Sequence, residues 1–493
     1  MLSGESKRFV VESGASFPND PSYGMLFFNT TNFRVYVYTD EGWTPLNYEY
    51  PFKIVGTTGS NYVKYADYIC TGTNDEVVIQ QAINDLPIGG TLIFLDGVYN
   101  IYNPITIDKS NITLLGIDQT RVKFSGNNIP NASDPVILIG SSGYVTGITI
   151  KGISILNHEA KIHTVQGNSI TIDRCTFSGP YTSVVGLTLP DQSELKNSTS
   201  IGRYFSYEVG DHCRITDNKF NSQVYGISGK HSVVSRNRFI YDIARSDIVL
   251  DTNSIFNDNV GSLLLVMATS SSTIDGNVLN VVQLVNNPSN VIVTNNTFNT
   301  RIGTASVIYN SQTDTATELI VSNNTVESIR LYGTHITVSN NKLNNPYNCI
   351  TLYGTNLTIT GNVVVKTSGS HPEMIGGISV VGGSYSTISG NEIYKGGSMA
   401  GIQIYNSGTS AYNITISNNT VHDSEYGIHI RSQTGSIDGI VITGNVLSGS
   451  DTGVYSPDAS VGHLIIKNNI MKGFTTDVYV NTPNAIVSDN YLL

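Results

Sequence analysis

From about residue 171 to the C-terminus, apolar and polar positions alternate in short bursts around a recurring asparagine. The unit reads apolar-x-apolar, a polar pair ending in Asn, then x-apolar, as in Ile215-Thr216-Asp217-Asn218-Lys219-Phe220. It returns as Val233-Val234-Ser235-Arg236-Asn237-Arg238-Phe239 and as Ile274-Asp275-Gly276-Asn277-Val278-Leu279. Further anchors are Asn296, Asn324, Asn341, Asn362, Asn391, Asn419, Asn445, Asn469 and Asn490, with less regular copies near Cys175, Asn197 and Asn259. The intervals run from 17 residues (Asn324 to Asn341) to 29 (Asn362 to Asn391). Alternation at period two predicts strands. A repeat of about 20 residues built from short strands fits one coil of a parallel β-helix, whereas a propeller blade needs about 40. The Leu-x-x-Leu-x-Leu pattern of leucine-rich repeats is missing. The predicted fold is therefore all-β, a right-handed parallel β-helix solenoid from about residue 90 to residue 493, with loops of variable length between its strands.

Stacking explains the asparagine. Equivalent residues of successive coils lie about 4.8 Å apart, so amide side chains can bond along the stack, and Asn tolerates the left-handed conformation of a tight corner. A second strand follows in each coil, as in Gly401-Ile402-Gln403-Ile404-Tyr405 and Tyr426-Gly427-Ile428-His429-Ile430. Alternation turns Ile402, Ile404, Ile428 and Ile430 inward and Gln403 and His429 outward, onto one sheet whose outer face suits an extended ligand.

Upstream the pattern changes twice. Residues 1–60 read as a small β module, with Tyr23–Phe28 and Phe33–Tyr38 alternating around the polar Asn29-Thr30-Thr31-Asn32 turn as a hairpin. A hairpin alone is marginal, so attachment to a particle or to other copies is expected there. In residues 61–104, the capping segment, Val78, Ile79, Ala82, Ile83 and Leu86 share one face of an amphipathic helix. Thr73, Asn74 or Asp75 is expected to cap it, and Pro87-Ile88-Gly89-Gly90 ends it. A helix laid over the open end of a solenoid covers its apolar core and unpaired backbone. Residues 105–493 are then the β-helix proper.

Composition narrows the partners. Charged residues are only 13% of the chain, glycines number 47 and tyrosines 28. The formal net charge of -11 and the lack of a basic stripe argue against nucleic acid or an anionic membrane. Cys70, Cys175, Cys213 and Cys349 show no metal-site spacing and read as buried free thiols; no metal or cofactor is expected. No apolar core of roughly 7–15 residues opens the chain, so no signal peptide is expected, and no stretch reaches the roughly 18 apolar residues of a membrane span.

Gly72 to Tyr99, running Gly-Thr-Asn-Asp-Glu, then Ile-Gln-Gln-Ala-Ile, Leu-Pro-Ile-Gly-Gly and Phe-Leu-Asp-Gly-Val-Tyr, resembles the opening segment of the pectate-lyase-like superfamily. With the coils, that resemblance covers most of the chain. It is specific for fold and broad for activity, since the superfamily includes polysaccharide lyases, glycoside hydrolases, uronan epimerases and virus tailspikes. Phe17 to Thr30, with Val35-Tyr36-Val37-Tyr38 and Trp43, resembles short modules of phage tail proteins. Together these resemblances imply a fibre, trimeric and carried on a virus tail or released by lysis, that binds or cuts surface polysaccharide. The alginate epimerase signature Asp-Pro-His-Asp is absent, and no family catalytic residue carries over.

Scarce charges cluster in two places. Arg203 to Asp251 is the richest stretch, and alternation turns Glu208 and Asp247 outward, two coils apart. Two carboxyls across a glycosidic bond, about 5 Å apart for retention or 6.5–9.5 Å for inversion, hydrolyse it. Glu208 and Asp247 are the expected acid and base, with Asp242 as substitute for either. Arg203, Tyr204, Arg245 and His212 are expected to hold substrate, Tyr204 serving as the base if the reaction is an elimination. A second candidate site holds His422, Glu425, His429 and Arg431, with His422, Asp423 and Glu425 in a loop, and with His371, Glu373 and Gln403 on nearby coils. Long loops around 296–324 and 362–419 flank it. The expected function is a tailspike-like polysaccharide depolymerase, hydrolase or lyase. The alternatives are a non-catalytic glycan-binding fibre or adhesin, and a uronan lyase or epimerase not attached to a particle.

Overall fold

A computed structural model describes residues 12–30, 34–40, 42–45, 51–179, 185–227, 229–240, 246–261, 264–298, 307–344, 350–366, 376–395, 400–408, 410–458 and 460–493. Its centre is a solenoid of parallel strands in three stacked sheets. The first sheet begins with Phe52–Thr57 and Thr91–Phe94 and ends with Ala485–Ser488. The second runs from Gly97–Asn100 to Tyr491–Leu492, and the third from Ile105–Ile107 to Thr476–Val480. Long strands such as Thr199–Val209 and Thr420–Thr434 pass through the corner from the second sheet to the third.

Inward positions stack in register. In the first sheet Leu92, Leu114, Ile150, Ile172, Leu195 and Ile215 form one column, coil upon coil. All six are buried. The same column continues through Ile388, Ile416 and Ile442 to Ile466. Period-two alternation is thus converted into a continuous apolar rod, and each buried aliphatic side chain contributes about 1.5–3 kcal/mol.

The asparagine anchors form a second, polar column inside the wall. Nδ2 of Asn218 donates to Oδ1 of Asn237 at 3.0 Å, and the same bond is repeated at every step to Asn490. Asn259, irregular in sequence, is a full member, and Ser198 rather than Asn197 extends the column downward. The left-handed conformation expected of the anchors falls instead on the residue before each. Asp217 has φ 60°, Arg236 54°, Asn323 56° and Asn340 53°. The anchor itself stays buried because its amide has to reach the next coil.

The helix Asp75–Asn84 covers the first coil with Ile79, Ala82, Ile83 and Leu86. Asn74 stands at its N-cap without a side-chain bond. Asp75 docks the helix instead, accepting the backbone N–H groups of Gly72 and Asn100, each at 2.8 Å. Phe52–Thr57 belongs to the solenoid's first sheet, so the expected domain boundary at residue 60 falls too late. The separate module is a four-stranded sheet, not a lone hairpin. Leu26–Asn29 pairs antiparallel with Arg34–Thr39 and parallel with Glu12–Gly14, and Gly42–Pro45 completes it. Phe17 closes it, stacked on Trp43 at 5.1 Å. Cys70, Cys175 and Cys213 are buried free thiols, and Cys349 lies outside the described residues.

Candidate functional site

The outer face of the third sheet carries two side-chain columns. Thr351 pairs with Ser379, Ser379 with Gln403, Gln403 with His429, His429 with Tyr455 and Tyr455 with Tyr479. Tyr309 and Arg330 precede Thr351 in the same column. Two residues further along each strand, Tyr332, Tyr353, Val381, Tyr405 and Arg431 form the second column. Ile402, Ile404, Ile428 and Ile430 face the core, as their alternation requires.

His429 is the centre of the C-terminal part. Tyr426 and Tyr455 stack at 4.8 Å, and the imidazole lies 5.2 Å from each ring. Burial pushes the His429 pKa down to about 4; the neighbouring Arg431 charge lowers it further, against an opposing pull from Asp458. Among the described residues, His429 Nε2 is buried and has no hydrogen-bond partner, and the same holds for Ser379 Oγ two coils away in the same column. Tyr426 is pushed well above the usual phenol range, first by burial and then by the nearby carboxylates of Glu425 and Asp451. A neutral imidazole and a protonated phenol side by side can move protons to and from a bound molecule.

The second candidate site divides between two sheets. His422 lies on the second sheet, in register with Tyr394 and stacked on it at 4.4 Å. Its Nε2 is 3.8 Å from Glu392, whose carboxylate accepts the Tyr394 hydroxyl. His429 and Arg431 lie on the third sheet, beyond the corner at Asp423, where φ is 53°. The expected loop over His422–Glu425 is continuous strand. His371 and Glu373 lie outside the described residues.

In the first candidate cluster, Tyr207 and Val209 are buried and Glu208 is exposed on the third sheet. Ser206 pairs with Tyr225, and Tyr225 with Asp247, which separates the Glu208 and Asp247 strands by two coils. Asp242 and Arg245, and the side chains of Arg203, Tyr204 and Asp247, lie outside the described residues. His212 stands at the corner that leads back to the first sheet, with φ 59°, stacked on His231 at 4.7 Å. It belongs to a stack of corner residues rather than to the face that holds Glu208.

Arg330, Tyr332, Tyr353, Tyr426 and Tyr455 were not picked out by charge density. A signal existed in the repeated Leu331-Tyr332-Gly333-Thr334 and Leu352-Tyr353-Gly354-Thr355 on successive coils.

Three parallel sheets wound about one core define the chain as a right-handed parallel β-helix, the fold implied by its resemblance to the pectate-lyase-like superfamily. Residues 281–439 match the family model described as right handed beta helix region, and residues 408–493 match that of periplasmic copper-binding protein (NosD). Curated proteins give no significant match. Among solved structures, the chain is similar to the A-module of mannuronan C-5 epimerase AlgE6 from Azotobacter vinelandii, at 14% identity, 87% of this chain and 97% of that one, and TM-score 0.22. It is similar to ORF18 of Geobacillus virus E2 at 15% identity, 91% and 71% coverage, and TM-score 0.21. PfbA, a surface adhesin of Streptococcus pneumoniae, matches at 13% identity, 84% and 91% coverage, and TM-score 0.27.

Residues 408–493 do not fit a copper centre. Their histidines are spread out: His422 stacks on Tyr394, His429 lies beside the stacked Tyr426 and Tyr455, and His463 pairs with Asp438 at 2.9 Å. Among the described residues no group of three or more His, Cys, Asp or Glu could hold a metal ion. No described helix is long and apolar enough to cross a membrane.

Proposed function

We propose that this chain is a tailspike-like polysaccharide depolymerase that holds an extended glycan along the outer face of the third sheet. The observation that carries this reading is the double column from Tyr309 to Tyr479. It sets tyrosine rings, arginines and a neutral histidine in register along one face of the rod. Rings offer flat apolar faces with a polar edge, and the coil spacing repeats them along a polymer. Two centres on this face could cleave: His429 with Tyr426 by proton abstraction and elimination, and Glu208 with Asp247 by hydrolysis. The register that puts the Glu208 and Asp247 strands two coils apart favours the second centre as a separate reading.

The test is incubation with capsular, uronate and neutral polysaccharides, reading both new reducing ends and the ultraviolet absorbance of an unsaturated product. Absorbance that disappears in His429→Gln would assign elimination to the histidine centre. Reducing ends without absorbance, lost in Glu208→Gln and Asp247→Asn, would assign hydrolysis to the carboxylates. Glycan binding without either product would leave the fibre or adhesin reading, and absence of binding would overturn the proposal.

Residues 12–45 serve, in the same reading, as an attachment module, and the working form is a trimer on a virus tail or free outside the cell. Light scattering of the full chain and of a variant lacking residues 1–45 checks this: a monomeric full chain would sink it.

A further inference from the structure

Arg330 is held by rings rather than by acids. Its guanidinium carbon lies 5.7 Å from the ring centroids of both Tyr332 and Tyr353, and Nη2 donates to Tyr332 Oη at 2.8 Å. The two tyrosines occupy equivalent positions on successive coils and stack at 4.1 Å, 11° from parallel. Arg431, in the second column, also lies beside a ring, 6.0 Å from that of Tyr405 on the preceding coil. Among the described residues neither arginine has a carboxylate within ion-pair distance, although the chain carries 38 acidic side chains against 27 basic ones. Asp458, whose charge reaches His429, accepts the Ser432 N–H at 2.7 Å.

The register fixes the separation of the arginines. Arg330 pairs with Thr351, and the column continues through Ser379 and Gln403 to His429, on the strand of Arg431. That is four coils, about 19 Å at about 4.8 Å per coil. A guanidinium presents a planar fork of donors that matches a carboxylate bidentately, and each fork here has a tyrosine ring beside it on which a sugar could lie. Resting on the polysaccharide reading above, we propose that Arg330 with Tyr332 and Tyr353, and Arg431 with Tyr405, are two subsites for carboxylated sugar residues. The substrate is then an acidic polysaccharide, engaged at both ends of a four-coil span.

The experiment is a binding array on the full chain, holding uronate, sialate and pyruvylated polysaccharides, each duplicated in carboxyl-reduced form, together with neutral glucans. The expected result is capture of an acidic member. Its affinity should fall at least tenfold on carboxyl reduction, and as much in Arg330→Gln, with Arg330→Lys intermediate because charge remains and the fork does not. Capture of neutral glucans alone, or affinity that carboxyl reduction and Arg330→Gln leave unchanged, overturns the inference while leaving the polysaccharide reading intact. Capture of nothing overturns both. Arg330 is exposed, and an unchanged thermal midpoint in its variants keeps a binding loss attributable to the side chain.

Discussion

Asn277 donates twice to one oxygen of Asn296: Nδ2 at 2.9 Å and the backbone N–H at 3.0 Å both reach Oδ1. Asn296 in turn donates to the Ile274 carbonyl at 2.9 Å and to Asn324 at 3.0 Å. Each anchor thus satisfies a backbone donor in the coil before it and draws on the coil after it. Substituting Asn296→Ala strips the buried Asn277 backbone N–H of its acceptor, while Asn277 Nδ2 keeps the Phe256 and Asp275 carbonyls. The expected cost is about 1–3 kcal/mol, the range for one buried group left unpaired, and a lower urea midpoint measures it. An unchanged midpoint would show that the column is ornamental.

Tyr353 owes its place to Gly354, where φ is 132° and an added Cβ would lie 1.7 Å from the Gly333 carbonyl oxygen. Gly354→Ala should cost about 3 kcal/mol or more and should disturb the Tyr332–Tyr353 stack. Gly143 has nothing within 4 Å of its added Cβ, so Gly143→Ala is the control and should stay within about 0.5 kcal/mol. Comparable losses in both would contradict the close-approach argument.

His429 sets a pH dependence. Its folded pKa of about 4 lies below the ordinary histidine value of 6.5. Between those values the unfolded chain binds a proton that the folded chain does not, so stability falls as pH drops from about 6.5 to about 4 and levels off below. Chemical denaturation across that window should show a shallower decline in His429→Gln. An imidazole resonance of His429 titrating near 6.5 would refute the buried environment.

Asp75 joins the capping helix to the first coil through Gly72 and Asn100. In Asp75→Ala both backbone donors lose their acceptor, at about 1–3 kcal/mol each. Amide exchange should then accelerate in Gly97–Asn100 and Ile105–Ile107 while coils beyond residue 300 stay protected, because each coil contacts only its neighbours. Uniform acceleration along the rod would contradict that local coupling.

The alternation of apolar residues and the recurrence of Asn were enough to determine the solenoid, its capping helix and the inward set from Leu92 to Ile466. These follow from local periodicity, which any coil must obey whatever its neighbours. Tertiary structure decided which residues stand above one another. Loop lengths vary from coil to coil, so sequence distance does not report stacking: His422 and His429 are seven positions apart and lie on different sheets, whereas Arg330 and His429, far apart in sequence, share a column. Tertiary structure also decided how far an outward residue meets water. His429 points away from the core as its alternation requires, yet it is half-buried, because the next coil sets the Tyr455 ring beside it to complete, with Tyr426 of its own strand, a cover that no single strand encodes.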